Sequence, residues 1–241
     1  MKTLITILFA KLVKKMNSKW ISNPLETQAK TFDKLLLKAI NTEFGRDHNF
    51  SSVKNYEDFK NQVPVRDYEG LKSYIDKVVS GEKNILWPGQ PLYFAKTSGT
   101  TSGAKYIPIT KESIKTHINS ARDALLNYFL ETKNYKLING KHMFLQGSPK
   151  LEKKNGVFIG RLSGISAHYI PKLFLNNRKP SWKTNCIEDW EEKVDTIIKE
   201  TVGEKLTIIA GIPSWVQMYF ERIVSSENKS IKEVFPELSL Y

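Results

Sequence analysis

Leu92-Tyr-Phe-Ala-Lys-Thr-Ser-Gly-Thr-Thr-Ser-Gly-Ala-Lys-Tyr-Ile-Pro108 is the stretch on which the reading of this 241-residue chain turns. Apolar residues lead into it and out of it. Between them, five of the six residues from Thr97 to Ser102 carry a hydroxyl, and the sixth is Gly99. A packed core has little use for such a run, because each buried hydroxyl left without a partner costs about 1–3 kcal/mol. A polyanion uses all of it. Hydroxyls and backbone N–H groups freed by Gly99 and Gly103 donate inward, and Lys105 supplies positive charge. The expectation is a phosphate-gripping turn between two strands.

Two better-known phosphate loops do not fit. A Walker A loop, G-x-x-x-x-G-K-[ST], has four residues between its glycines and a lysine directly after the second. Here three residues separate Gly99 from Gly103, and Ala104 comes before Lys105. A Walker loop also opens into a helix, whereas Lys105-Tyr-Ile-Pro-Ile109 is strand-like and carries a proline. The G-x-G-x-x-G pattern is absent. The plain alternative is a hairpin turn rich in Ser, Thr and Gly, but turns seldom need five hydroxyls and a lysine together.

Bulk properties narrow the partners. The hydrophobic share of 40% and charged share of 26% are ordinary for a soluble globular protein. The formal charge of +12 admits nucleic acid, anionic lipid or anionic small substrates. The lysines are scattered and no arginine-rich or Gly-aromatic block occurs, so a nucleic-acid partner is not expected. A single cysteine, Cys186, excludes an intrachain disulfide and fits a reducing cytoplasm. The histidines at 48, 117, 142 and 168 have no Cys or His companion at zinc spacing. Leu4 to Ala10 looks faintly like the apolar part of a signal peptide, but lysines at 11, 14 and 15 interrupt it and no small-x-small site follows. Leu4, Leu8, Leu12 and Met16, with Ile5, Phe9 and Val13 beside them, keep helical spacing, which predicts a docked amphipathic helix, with a membrane-surface anchor as the alternative. No transmembrane segment is expected, since no stretch approaches the ~20 apolar residues a span requires.

Along the chain, Asn23-Pro24 opens a helix with an apolar stripe from Leu25 to Ile40, ended by Gly45. A short helix covers Asn55 to Lys60. Asp67 caps one that runs through Val79 and is closed by Gly81, and Thr110 caps another from Lys111 to about Glu131. Lys141 to Gln146 reads as a strand, and Gly147 to Pro180 as loop-rich. Asp189 to Val202 reads as a helix with Trp190, Val194, Ile197 and Ile198 buried. Leu206 to Ala210 is a continuous apolar run, as in a strand covered on both faces. Gly211-Ile-Pro-Ser214 then turns into a helix, an order that places ligands in open α/β sheets. Val234 to Tyr241 reads as the start of a further strand. No repeat and no interdomain linker is visible. The fold class is α/β, with mixed sheets flanked by helices.

The hydroxyl-rich stretch resembles the first nucleotide motif of adenylate-forming enzymes, roughly [ST]-S-G-T-[ST]-x-G-x-x-K. An ordered series surrounds it. Glu43-Phe-Gly45, Phe59, Val63-Pro-Val65, Tyr68-Glu69, Gly81-Glu82 and Leu86-Trp-Pro-Gly89 precede it. Ile107-Pro-Ile-Thr110, Leu162-Ser-Gly-Ile165, Pro180, Trp190-Glu-Glu-Lys193, Gly211-Ile-Pro-Ser-Trp215 and Phe235-Pro-Glu-Leu238 follow. This order resembles the auxin-responsive Gretchen Hagen family of acyl-acid–amido synthetases, in its bacterial branch, from about Gln28 to Leu238.

The resemblance implies an ATP-dependent ligase, using ATP with Mg2+, that joins a small carboxylic acid to an amino acid. It implies that residues 1–241 are the N-terminal portion of the large adenylation domain, with the remainder and a mobile small domain beyond. Alone, the chain is expected not to complete the reaction. By position, Thr97, Ser98, Thr100 and Thr101 would donate to phosphate, Gly99 and Gly103 would allow close approach, and Lys105 takes the place of the motif's trailing lysine, after a short spacer. From the residues themselves, Arg122 could meet the substrate carboxylate, and Ser214 with Trp215 could line the acyl pocket. A solvated helix arginine and a core tryptophan are the plain alternatives. Gln146-Gly-Ser148, His168 and Tyr169 are weaker pocket candidates. The rival functions are an acyl-CoA ligase, which shares the adenylation step, and a basic protein that binds nucleic acid or a membrane surface.

Overall fold

The computed structural model describes residues 2–97 and 104–240. In chain order it begins with α1 (Lys2–Ser22), α2 (Pro24–Ala39), α3 (Glu43–Asp47), α4 (Tyr56–Gln62) and α5 (Tyr68–Ser80). Strands β1 (Tyr93–Thr97) and β2 (Lys105–Ile109) follow, then α6 (Lys111–Thr132), β3 (Lys141–Leu145), β4 (Glu152–Lys154) and β5 (Val157–Gly160). The rest comprises α7 (Leu162–Ser166), β6 (Arg178–Lys179), α8 (Trp182–Asn185), α9 (Trp190–Thr201), β7 (Leu206–Gly211), α10 (Pro213–Glu227) and α11 (Ile231–Val234).

Helix starts fall where capping chemistry puts them. The side chains of Asn55, Asp67 and Asp189 accept from the backbone N–H of Asp58, Gly70 and Glu192, and Thr110 accepts from Ser113. Gly81, at φ 105°, closes α5. α2 departs from expectation: Asn23 makes no side-chain cap bond, and the helix stops at Ala39 rather than at Gly45. Gly45 lies within α3, where a Cβ would sit 2.1 Å from the Ala39 carbonyl oxygen. That glycine serves a close backbone approach, not a helix stop.

The chain divides into two compact units. The first comprises Lys14–Asn119 and Leu151–Gly160. Its sheet has the order β2-β1-β5-β4, with β1 antiparallel to β2 and parallel to β5. Phe94, Val157 and Ile159 from this sheet pack with Val78 and Ile85. The β4–β5 hairpin lies inside the stretch read as loop. Its turn is Asn155-Gly156, both at positive φ, and that dipeptide is a hairpin signal in its own right.

The second unit comprises Met1–Val13, Ser120–Lys150 and Arg161–Tyr241. Its sheet, β6-β3-β7, is parallel throughout. A bulge sets Lys141 opposite Leu206 but His142 opposite Ile208, leaving Thr207 as the extra residue. Leu206 and Ile209 therefore pack with Val194, Ile197, Tyr219 and Ile223, whereas Ile208 packs with Ala10, Leu126, Phe129 and Leu137. The Thr207 hydroxyl donates to Leu137 O at 3.0 Å. The final segment forms α11 and one bridge from Leu240 to Ile208, less than the strand expected there.

α1 is helical as expected, but of the apolar residues expected to dock only Val13 is buried. Thr6, Ala10 and Val13 are its buried residues, while Leu4, Leu8, Leu12 and Met16 are exposed. The small Ala10 and Val13 allow close packing, and the helix is apolar on both sides. Among the described residues no helix is long and apolar enough to cross a membrane.

Candidate functional site

In the first unit, Thr97 ends β1 and Lys105 begins β2, and the two are partners in the antiparallel ladder. Because β1 runs parallel to β5, Thr97 lies at the carboxyl end of a strand with a parallel neighbour, the end at which α/β sheets bind ligands. Ser98, Gly99, Thr100, Thr101 and Gly103 lie outside the described residues. Of the two ends, Thr97 is exposed and Lys105 is half-buried.

The Lys105 ammonium lies 5.2 Å from the centre of the Tyr68 ring, a cation–π contact, and among the described residues no carboxylate pairs with it. The Tyr68 hydroxyl accepts the Tyr106 N–H at 3.0 Å, and the Tyr106 ring meets buried Phe94 edge-on at 5.9 Å. Tyr68 therefore anchors the outgoing arm of the hairpin beside Lys105. An anion at this mouth would meet a hydroxyl and a positive charge that no carboxylate among the described residues neutralises. Sequence reasoning did not single out Tyr68 as a site residue. Its signals were its place directly after the capping Asp67, at the start of α5, and its membership of the ordered series as Tyr68-Glu69.

In the second unit, β3 and β7 end side by side, with Leu145 opposite Gly211. A Cβ on Gly211 would lie 2.8 Å from Leu145 Cβ, so the two chain ends approach closely only because Gly211 has no side chain. Ser214 stands exposed in the first turn of α10, a helix start with Pro213 and no side-chain cap. Trp215 is half-buried, 4.5 Å from Trp190 between ring centres, and packs on the α9–α10 core. It serves that core whatever else it touches.

Arg122 stands elsewhere in this unit. Its Nε donates to Asp123 Oδ1 at 2.7 Å, and its guanidinium lies 5.6 Å from the Phe9 ring centre. An incoming carboxylate would compete with Asp123. The structure brings Ser214 and Trp215 together, and no hydrogen bond or ion pair among the described residues joins Arg122 to them. His168 Nε2 meets the Pro149 carbonyl at 2.9 Å and braces the chain after β3.

Lys193 is the residue sequence reasoning passed over here. It is only 4% exposed, and burial lowers its pKa from the ordinary lysine value. Its signal was available: position 193 falls in the same helical stripe as Trp190, Val194 and Ile197, where a lysine breaks the apolar pattern.

The N-terminal domain model of the GH3 family matches residues 14–179, more than half of the chain. The chain belongs to the GH3 family. A jasmonoyl–L-amino acid synthetase of Nicotiana attenuata, JAR4, is 24% identical over 136 residues, covering 55% of this chain and 23% of that protein. An Arabidopsis thaliana indole-3-acetic acid-amido synthetase, GH3.17, is 33% identical over 128 residues, covering 51% of this chain and 20% of that protein. The matches thus span about a fifth of these GH3 relatives. A solved GH3.15 acyl acid amido synthetase superposes with a TM-score of 0.73 at 18% identity, over 88% of this chain and 38% of that one. The shared fold is thereby the α/β fold of the GH3 enzymes, with mixed sheets flanked by helices. The region matched by the GH3 domain model contains the Thr97–Lys105 hairpin and Arg122, and stops before Lys193, Ser214 and Trp215.

Proposed function

We propose that this GH3 chain supplies the nucleotide turn and part of the acid pocket of an acyl-acid–amino acid ligase. The carboxylate of a small acid attacks the α-phosphorus of ATP, giving an acyl-adenylate and pyrophosphate. The amine of an amino acid then attacks the acyl carbon and AMP leaves. Thr97, Ser98, Thr100 and Thr101 donate to the phosphates, Gly99 and Gly103 admit them, and Lys105 offsets the charge that grows on departing pyrophosphate. Ser214 and Trp215 line the acid pocket, and Arg122 joins them only if it leaves Asp123. Mg2+ would arrive bound to the phosphates of ATP, as it does at nucleotide sites generally. An amine acceptor, rather than a thioester-forming one, follows the amido synthetases among the relatives. The free Cys186 suits a reducing cytoplasm.

One observation carries this reading: a lysine with no carboxylate partner among the described residues, opposite Thr97 at the carboxyl end of β1 in a hydroxyl-rich stretch. Titration with ATP and with acyl sulfamates, stable mimics of the acyl-adenylate, tests it. Mimics of indole-3-acetate and jasmonate, the acids in the relatives' names, make a suitable panel. The expected result is ATP binding, with one mimic bound at least about tenfold tighter. Absence of nucleotide binding, together with strongly salt-dependent binding to DNA or anionic vesicles, would contradict it.

A further inference from the structure

We propose that Lys193 is a positioning residue, holding the Gln146–Ser148 segment as a wall of the acid pocket at the carboxyl end of the parallel sheet. The proposal rests on the ligase reading above.

Lys193 lies among the buried residues of α9. Its ammonium donates to Asn185 O at 2.9 Å and to Gln146 O at 3.3 Å, and among the described residues no carboxylate pairs with it. A buried ammonium loses its hydration, and an apolar side chain of similar volume would fill the stripe without that cost. The compensation lies in the two carbonyls it joins. One belongs to the residue that directly follows β3, the other to the end of α8.

The segment beyond β3 is fixed from other sides as well. The Gly147 N–H donates to Ser163 Oγ at 3.3 Å. The absence of a side chain at Gly147 makes room for Arg161, whose Cδ would lie 2.6 Å from a Cβ there. A Cβ on Gly164 would lie 2.3 Å from the Ser148 carbonyl oxygen, so α7 is packed directly on this segment. His168 then holds Pro149. Strand-end connections are usually the mobile, variable part of a fold. Bracing this one from α7, α9 and the turn after α7 suits a segment that a ligand must meet in a set geometry. Its neighbour in the sheet, β7, leads straight to Ser214.

The test compares K193M, K193R and S163A with the unaltered chain. Three quantities are read: amide hydrogen exchange at residues 147–150, affinity for the acyl sulfamate that binds best, and affinity for ATP. K193M should speed exchange at Gly147 and Ser148 and weaken the acyl sulfamate about tenfold or more, leaving ATP affinity within about twofold. K193R should restore acyl-sulfamate affinity to within about threefold, since it keeps donors and charge. S163A, at an exposed position, should give a smaller loss in the same direction and remains informative if K193M does not fold. Faster exchange with unchanged acyl-sulfamate affinity would make Lys193 merely structural and overturn the proposal. So would equal losses for ATP and acyl sulfamate, or a K193R variant no better than K193M. An unaltered chain that binds ATP but no acyl sulfamate would overturn the ligase reading itself.

Discussion

Two of the three pairings in the four-stranded sheet join neighbours in sequence, β1 with β2 and β4 with β5, and only β1 with β5 is distant, whereas the three-stranded sheet joins β3 to β6 and β7 from far along the chain. In the first sheet the groups proposed for the nucleotide sit in one contiguous stretch, Thr97 to Lys105. In the second, the groups proposed for the acid come from Gln146, Lys193 and Ser214, which only the parallel crossovers bring to one end of a sheet. The antiparallel hairpin can be read locally, and the parallel sheet cannot.

This contrast predicts different consequences of substitution. In the parallel unit, Ile197 is fully buried against both strands and α10, so Ile197→Ala should cost about 2–5 kcal/mol in denaturant unfolding and weaken acyl-sulfamate binding with it. A cost under about 1 kcal/mol would show that this core is not closely packed. In the hairpin unit, Tyr68→Phe keeps the ring beneath Lys105 but leaves the Tyr106 N–H without its acceptor. It should cost about 1–2 kcal/mol by the same measurement, with acyl-sulfamate preference over ATP unchanged. Tyr219→Phe breaks the buried 2.7 Å hydrogen bond to Thr201 Oγ1 and should cost about 1 kcal/mol, without touching either proposed site.

The smallest effect is one of pH. Burial lowers the pKa of His142, outweighing its bond to Leu137 O, with Lys2 lowering it further. A neutral histidine in the fold binds fewer protons than the same group unfolded. Its contribution is therefore complete above the ordinary histidine value of about 6.5 and is lost as pH falls through that value toward the lower folded one. Stability measured from pH 8 to pH 5 should fall, and His142→Gln should flatten that decline. An unchanged slope in the variant would remove His142 as its source.

Legibility followed the same divide. Helix starts were readable because a cap and its acceptor lie within three residues, as for Asp67 and Gly70. The hairpin around Thr97 and Lys105 was readable because its strands flank one turn. The β4–β5 hairpin was missed, though Asn155-Gly156 marks it, because three apolar residues in β5 give no period. The docked face of α1 differs from the expected one because Thr6 and Ala10, buried beside Val13, give a weaker apolar signal than the exposed leucines. The burial of Lys193 was legible in its helical stripe, but its partners were not: they are the backbone carbonyls of Asn185 and Gln146, and no side-chain pattern reports a carbonyl.

The direct measurement for the central claim is the ATP affinity of the chain with Thr100→Ala and with Lys105→Ala. A hydroxyl and a cation that hold phosphate should each be worth about a tenfold to hundredfold loss, with the fold intact by circular dichroism. ATP binding of unaltered strength in both variants would contradict the assignment of this turn to the nucleotide.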